Sequence, residues 1–334
     1  MISLQKLSGG ELGTPEFQAL YNRTVGGIRG GKVTLNGANP TRILFKDDDA
    51  ATILGTDDGA TKNLGNGKTL VVSPDGGSDD TVTFAAAAAT SVSDASPSTD
   101  ISSGTDNKFM ISVDGDEAEE VELTVATLDS GAAIASAMET AIQALDGKKA
   151  AVTVAFDSVY TITSGTLGTG SSVVITDAAE ANVAEALKLG AANDGVETAG
   201  TGDFVDAAAA TPAEVAAAIN EKANGWAATA EGNKIRITSP TAGKDSSLVV
   251  NAGSTADEIL GITGSAYGAQ GLGYDTDMVD ANYLALATLN GVAQASLAAK
   301  CLSVTGRSAA GFQVECETAA AADAVDVLIL GVPA

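Results

Sequence analysis

The side chains able to do chemistry in this chain are carboxylates: 43 Asp and Glu stand against 18 Lys and Arg, and there is no histidine. Without imidazole the chain lacks the usual general base near neutral pH, the Ser-His-Asp triad, the Cys-His pair and every imidazole metal ligand. What remains are acidic clusters at Asp47-Asp48-Asp49, Asp57-Asp58-Gly59, Asp114-Gly115-Asp116-Glu117 and Asp275-Thr276-Asp277 with Asp280. Each invites a cation. None follows the EF-hand loop, which needs glycine at its sixth position and a bidentate glutamate at its twelfth; counted from Asp275 the twelfth residue is Leu286. Solvated turns are the expectation, with no metal ligands assigned.

The glycine-rich stretches Gly26-Gly27-Ile28-Arg29-Gly30-Gly31 and Gly268 to Gly273 do not carry the GxxxxGK[ST] phosphate loop, and they read as a flexible arm or hinge. Two carboxylates for glycoside hydrolysis can converge from anywhere in a fold. Saccharide grooves, however, are lined with aromatics, and the chain has one Trp, Trp226, and five Tyr. No catalytic residue and no cofactor site is nominated, so a non-enzymatic protein is expected. The two cysteines, Cys301 and Cys316, have no zinc spacing. If Gly306 and Gly311 flank a four-residue turn, Arg307 to Ala310, antiparallel pairing sets Cys301 opposite Cys316. A cross-strand disulfide is then geometrically open, and a reduced pair is expected for a protein matured in cytoplasm.

The formal charge of −25 argues against nucleic acid or an anionic membrane as partner. Residues 1–46 hold Lys6, Arg23, Arg29, Lys32, Arg42 and Lys46 against Glu11 and Glu16, while the remaining residues carry 12 basic and 41 acidic side chains. The N-terminal arm is thus the basic part, read either as a docking arm or as chance clustering on an ordinary surface. No run approaches a membrane span, and Met1 to Leu20 lacks the charged start and apolar stretch of a signal peptide, which points to synthesis in the cytoplasm without Sec export.

The elements that position these residues repeat. Ile162-Thr163-Ser164 followed by Ser171-Ser172-Val173-Val174-Ile175 returns 75 residues later as Ile237-Thr238-Ser239 and Ser246-Ser247-Leu248-Val249-Val250. Each block leads to a short helical segment ending in Leu-Gly, at Leu189-Gly190 and Leu260-Gly261. Upstream, Ile134, Met138, Ile142 and Leu145 share one helix face behind Asp129 or Ser130 as N-cap, and Thr211-Pro212-Ala213-Glu214 is a capping box before Val215, Ile219 and Lys222. Asp114-Gly115 joins strands Phe109 to Val113 and Glu120 to Val125. Its counterpart lies far earlier, as Asp75-Gly76-Gly77 between Thr69 to Ser73 and Thr81 to Phe84.

One module therefore sits inside the other. The fold class is α+β, mostly β and multi-domain: two copies of a small hairpin-helix-sheet module, one nested in the other, on a β-rich basal domain. The expected spans are 1–66 plus 273–334 for the base with its basic arm, 67–92 plus 201–265 for the outer module, and 105–191 for the inserted distal module. Ser91 to Asp106 and Asn193 to Gly202 read as linkers. Lys32 to Leu35, Thr41 to Phe45, Tyr283 to Thr288, Ala298 to Thr305, Phe312 to Glu317 and Val325 to Leu330 are expected as strands of the base.

The hairpin around Asp-Gly, the helix TPAEVAAAIN, then KIRITS, SSLVV and a closing Ala-Asp-Glu-Ile-Leu-Gly resemble a domain recurrent in virion proteins of tailed bacteriophages, and are similar to motifs of flagellar filament and hook-associated proteins. The resemblance covers about 67–262. It implies a structural protein present in many copies on the outside of a virion, most simply a capsid decoration or cement protein. Its partners would be the major capsid protein or other shell subunits and further copies of itself, with a trimer one oligomer that the resemblance allows. The alternatives are a receptor-binding fibre or adhesin using the distal module, or a tail or filament subunit.

Overall fold

The computed structural model describes residues 27–34, 41–44, 48–145, 147–271, 284–290, 302–308, 311–316 and 324–331. In chain order the strands begin with β1 (Gly27–Thr34), β2 (Thr41–Leu44), β3 (Ala50–Leu54), β4 (Thr69–Pro74) and β5 (Asp80–Thr83). The inner region holds β6 (Ala86–Val92), β7 (Lys108–Val113), β8 (Glu119–Glu122), helix α1 (Gly131–Gln143), β9 (Thr153–Asp157), β10 (Val159–Leu167), β11 (Val173–Asp177), α2 (Ala184–Leu187), β12 (Val196–Thr198) and β13 (Thr201–Gly202). Then come α3 (Pro212–Lys222), β14 (Ala227–Glu231), β15 (Lys234–Ala242), β16 (Ser247–Val250), α4 (Asp257–Leu260), β17 (Ser265–Tyr267) and β18 (Ala269–Gly271). Four strands close the chain: β19 (Leu284–Asn290), β20 (Leu302–Ser308), β21 (Gly311–Cys316) and β22 (Ala324–Gly331). The fold is α+β and mostly β, built of several antiparallel sheets, as the sequence implies.

The two copies coincide pair by pair. In the inner copy β10 runs antiparallel to β6 with Thr161, Ile162 and Thr163 opposite Val92, Ser91 and Thr90, then a register shift before Leu167 meets Ala88. In the outer copy Arg236, Ile237 and Thr238 meet Leu54, Ile53 and Thr52, and the same shift precedes Ala242 opposite Ala50. β15 lies 75 residues after β10 while β3 lies 38 residues before β6, so the outer pair is separated by 113 more residues than the inner pair, the length of the nested insert. Sheets β9-β10-β6 and β14-β15-β3 are thus equivalent, as are β8-β7-β11 and β5-β4-β16.

The helices form where their caps place them. Ser130, rather than Asp129, caps α1 by accepting from Ala133 N–H, and Ile134, Met138 and Ile142 are buried beneath it. Thr211 and Glu214 complete the capping box of α3, with Pro212 in its first turn and Val215 and Ile219 in the core. Each helix also shields a sheet edge that would otherwise offer unpaired backbone groups. Asn220 bonds both the N–H and C=O of Ala228 on β14, and in the inner copy Glu139 and Gln143 bond Val154 N–H and Val152 C=O beside β9.

Two segments depart from the expected boundaries. β3 lies in the span assigned to the base, yet it completes the outer sheet and buries Ala51 in the outer core. The preceding loop belongs there too, since Leu64 is buried and Lys62 and Ala210 exchange backbone hydrogen bonds. β6, expected partly as outer module and partly as linker, is a strand of the inner sheet, and Ala89 lies in the inner core. The return linker is likewise β12 and β13, paired to β6 with Gly202 opposite Ala86. An alanine-rich run such as Ala85 to Ala89 carries no strand propensity of its own; strands on both sides of β6 fix its backbone.

The ends of the chain do pair with each other. β1 runs antiparallel to β22, and β2 to β21. The glycine-rich stretches expected as arm or hinge contain strands: Gly27 to Gly31 lies within β1, and Ala269 to Gly271 forms β18, which pairs parallel with β2. At Gly268 a Cβ would stand 2.4 Å from Gly243 O and 2.6 Å from Asp49 O, so only glycine fits that crossing.

The expected cysteine register is corrected by one residue. Ser308 is opposite Gly311 after a register shift, which sets Leu302, not Cys301, opposite Cys316; Cys301 itself lies outside the described residues. A two-residue connection with a bulge replaces the four-residue turn, and a one-residue slip moves every side chain to the other face. In a Cys301→Ser background, Leu302→Cys is therefore expected to form an intramolecular disulfide with Cys316 under mild oxidation, detected as loss of both free thiols; two persistent thiols would argue against this register.

Candidate functional site

Of the six basic residues singled out as a docking set, Arg29 and Lys32 lie on β1 and Arg42 on β2, while Lys6, Arg23 and Lys46 fall outside the described residues. The described part of the arm is paired backbone on two strands. Lys32 is opposite Asp326, and Arg42 is opposite Gln313. Residues 1–46 and 272–334 together hold 8 basic and 9 acidic side chains, whereas residues 47–271 hold 10 and 34. The base is nearly neutral, and almost all of the net charge rides on the nested modules.

The Asp-Gly turns bring together residues that sequence reasoning treated separately. Asp75 and Gly76 have φ of +51° and +67°, Asp114 and Gly115 +52° and +76°, and the N–H two residues after each Asp bonds back to Pro74 or Val113 C=O, as in a type I′ turn. Aspartate tolerates this left-handed backbone better than most residues. The Asp75 carboxylate accepts from Ser239 Oγ (2.5 Å) and Ser247 N–H (2.9 Å), while Asp75 N–H donates to Ser247 C=O (2.8 Å). The Asp114 carboxylate accepts from Ser164 Oγ (2.9 Å) and Ser172 N–H (2.9 Å), and Asp114 N–H donates to Ser172 C=O (2.9 Å).

The first serine of each Ser-Ser pair completes the pattern. Ser246 Oγ accepts from Ala51 N–H, and Ser171 Oγ from Ala89 N–H. So the repeated ITS and SS motifs are halves of a polar clamp closing β3 and β4, or β6 and β7, against the strands that follow the helix. The copies differ at one atom. Asp75 Oδ2 accepts from Thr241 Oγ1, whereas Asp114 Oδ2 is buried without a partner although Thr166 stands at the equivalent position.

The other acidic clusters serve nearby cations and backbone. Asp57 binds Lys62, whose ammonium is buried and also donates to Asp57 C=O and Gly59 C=O. Asp48 accepts from Gly271 N–H. Asp116 lies 3.7 Å from Lys148, and Glu119 lies 3.7 Å from buried Lys149. Among the described residues, no three carboxylates or thiols gather around one point; Asp275, Asp277 and Asp280 lie outside them. The inner copy also has an open groove of about 570 Å³ between α1 and the end of β8, lined by Glu122, Thr124, Leu128, Ala133, Ala137 and Ala141. No sequence motif announces it, because alanines on a helix read as core.

No known family matches the chain, and no curated protein matches it. Among solved structures, the flagellar cap protein FliD from Helicobacter pylori aligns with 73% of this chain and 86% of that one, at 12% identity and a TM-score of 0.22. A superposition that loose carries no argument about role.

Glu214 ties the cap of α3 to the segment entering it. Burial alone would raise its carboxyl, but hydrogen bonds from Thr211 Oγ1, Val205 N–H and Thr211 N–H outweigh that and hold it below its ordinary value of 4.5. A carboxylate depressed in the folded state contributes stability that is present above pH 4.5 and is lost as pH falls through the folded value. The urea midpoint of wild type is therefore expected to drop more between pH 7 and pH 3.5 than that of Glu214→Gln; equal drops would show that this carboxylate is not coupled to folding.

Proposed function

We propose that this chain is a non-enzymatic structural protein of a multi-copy virion assembly, most simply a capsid decoration protein. It seats on the shell through its base and directs the nested modules into solvent. One observation carries the reading: strands from both chain ends meet in a nearly neutral base, while the acidic excess of 24 charges sits on the modules strung between them. A base without large net charge can pack against a protein shell, and an acidic body keeps crowded neighbouring copies from adhering to one another. Many such contacts on one particle would add their effects, stabilising the shell through multivalency. The reading is supported further by the resemblance of the repeated module to domains of phage virion proteins.

Deletion of residues 1–46 is a poor test, since it removes β1 and β2 from the sheets of the base. Charge reversal at Arg29, Lys32 and Arg42 keeps the strands. Purified protein mixed with expanded capsids that lack it is expected to give regular density on the lattice by electron microscopy, with apparent affinity falling about tenfold in the triple Glu variant. Filaments formed by the protein alone would replace this reading with a tail or filament subunit; bare capsids with binding to bacterial cells would replace it with an adhesin.

A further inference from the structure

The crossing between the two modules is built as a lock. The chain enters the inner module at Ala85-Ala86 and returns at Gly202-Asp203, and the loop between β10 and β11 reaches back to the same place. Thr169 N–H donates to Phe204 C=O, Gly170 N–H to Val205 C=O, Ala207 N–H to Leu167 C=O and Gly168 N–H to Ala87 C=O, at 2.8–3.1 Å. Leu167 itself packs against the outer core, although the rest of β10 contributes Tyr160 and Ile162 to the inner one. Phe84 and Phe204, on the entering and returning segments, are both buried with ring centroids 5.6 Å apart.

Polar contacts fasten the same point to α3. Asp203 accepts from Ala85 N–H at 2.7 Å and pairs with Lys222, whose ammonium also donates to Thr83 C=O at 2.7 Å; Val205 N–H donates to Glu214 at 2.9 Å. The backbones approach too closely for side chains. A Cβ on Gly202 would stand 2.3 Å from Ala85 O, and one on Gly200 2.2 Å from Gly168 O. A flexible tether needs none of this, and its backbone would be solvated rather than bonded across the junction.

We propose that the inner module is locked to the outer one at this crossing, so that the two cores open as one cooperative unit and the inner module projects at a fixed orientation. The segment Asp203 to Ala207 is the key, because it is bonded to the inner β10–β11 loop on one side and to α3 on the other. The inference holds whichever assembly the protein joins.

Native-state hydrogen exchange on the full chain tests it. Ile162 is fully buried in the inner core, and Ile162→Val should speed exchange of slow inner amides such as Phe109 and Ile111 about 2- to 10-fold. Locked modules predict the same factor at Ile219 and Ile237 of the outer core. In an Asp203→Ala background, which removes the bridge to Ala85 and Lys222, the effect of Ile162→Val is expected to stay in the inner module. Unchanged exchange at Ile219 and Ile237 in the single variant would overturn the lock, and an undiminished outer effect in the Asp203→Ala background would overturn the role of Asp203.

Discussion

An aspartate carboxylate held in a left-handed turn is the interaction on which both modules depend. Each module is made of two sheets that share one hydrophobic core, and burial, being non-directional, does not by itself fix how their ends align. The Asp75 and Asp114 carboxylates do so by accepting from a serine hydroxyl of one sheet and a serine N–H of the other. Hydrogen bonds to a charged acceptor are worth about 1.5–3 kcal/mol each, more than neutral ones, and these are partly shielded from water. With the turn pinned, Leu70, Val72 and Leu248 close one core, and Phe109, Ile111 and Ile175 the other.

Nesting then becomes a problem of loop closure. About 115 residues separate Ala86 from Gly202, and an unfolded insert of that length would cost the outer module roughly 4 kcal/mol in closure entropy. The folded inner module removes that cost by bringing its ends into register on β6. The acidic excess falls on these modules and spares the base, so the negative charge of the chain is concentrated on the nested part.

What could be read in the sequence followed from local rules that the structure leaves intact. The 75-residue repeat, the capping box at Thr211 and the Asp-Gly turns are each set by residues close in sequence. The strands β3 and β6 escaped because their likeness is short: Ala50-Ala51-Thr52 returns as Ala88-Ala89-Thr90 inside a run of alanines, and only the partners that Arg236 to Ala242 and Thr161 to Leu167 give them make the equivalence plain. For the same reason the return linker turned out to hold β12 and β13, and Arg29, Lys32 and Arg42 to lie on strands of two sheets. Ser164 and Ser239 are visible in the sequence only as parts of the repeated Ile-Thr-Ser motif; their role needs an aspartate 50 and 164 residues away.

The most direct measurement compares urea midpoints of Asp75→Ala and Asp114→Ala with those of Asp75→Asn and Asp114→Asn. Alanine removes the acceptor and disfavours the left-handed backbone, so each alanine variant should lose about 2–4 kcal/mol, with asparagine losing roughly half by keeping the turn and one acceptor oxygen. Alanine variants within about 0.5 kcal/mol of wild type, the scatter of ordinary surface substitutions, would contradict the claim that these carboxylates align the sheets.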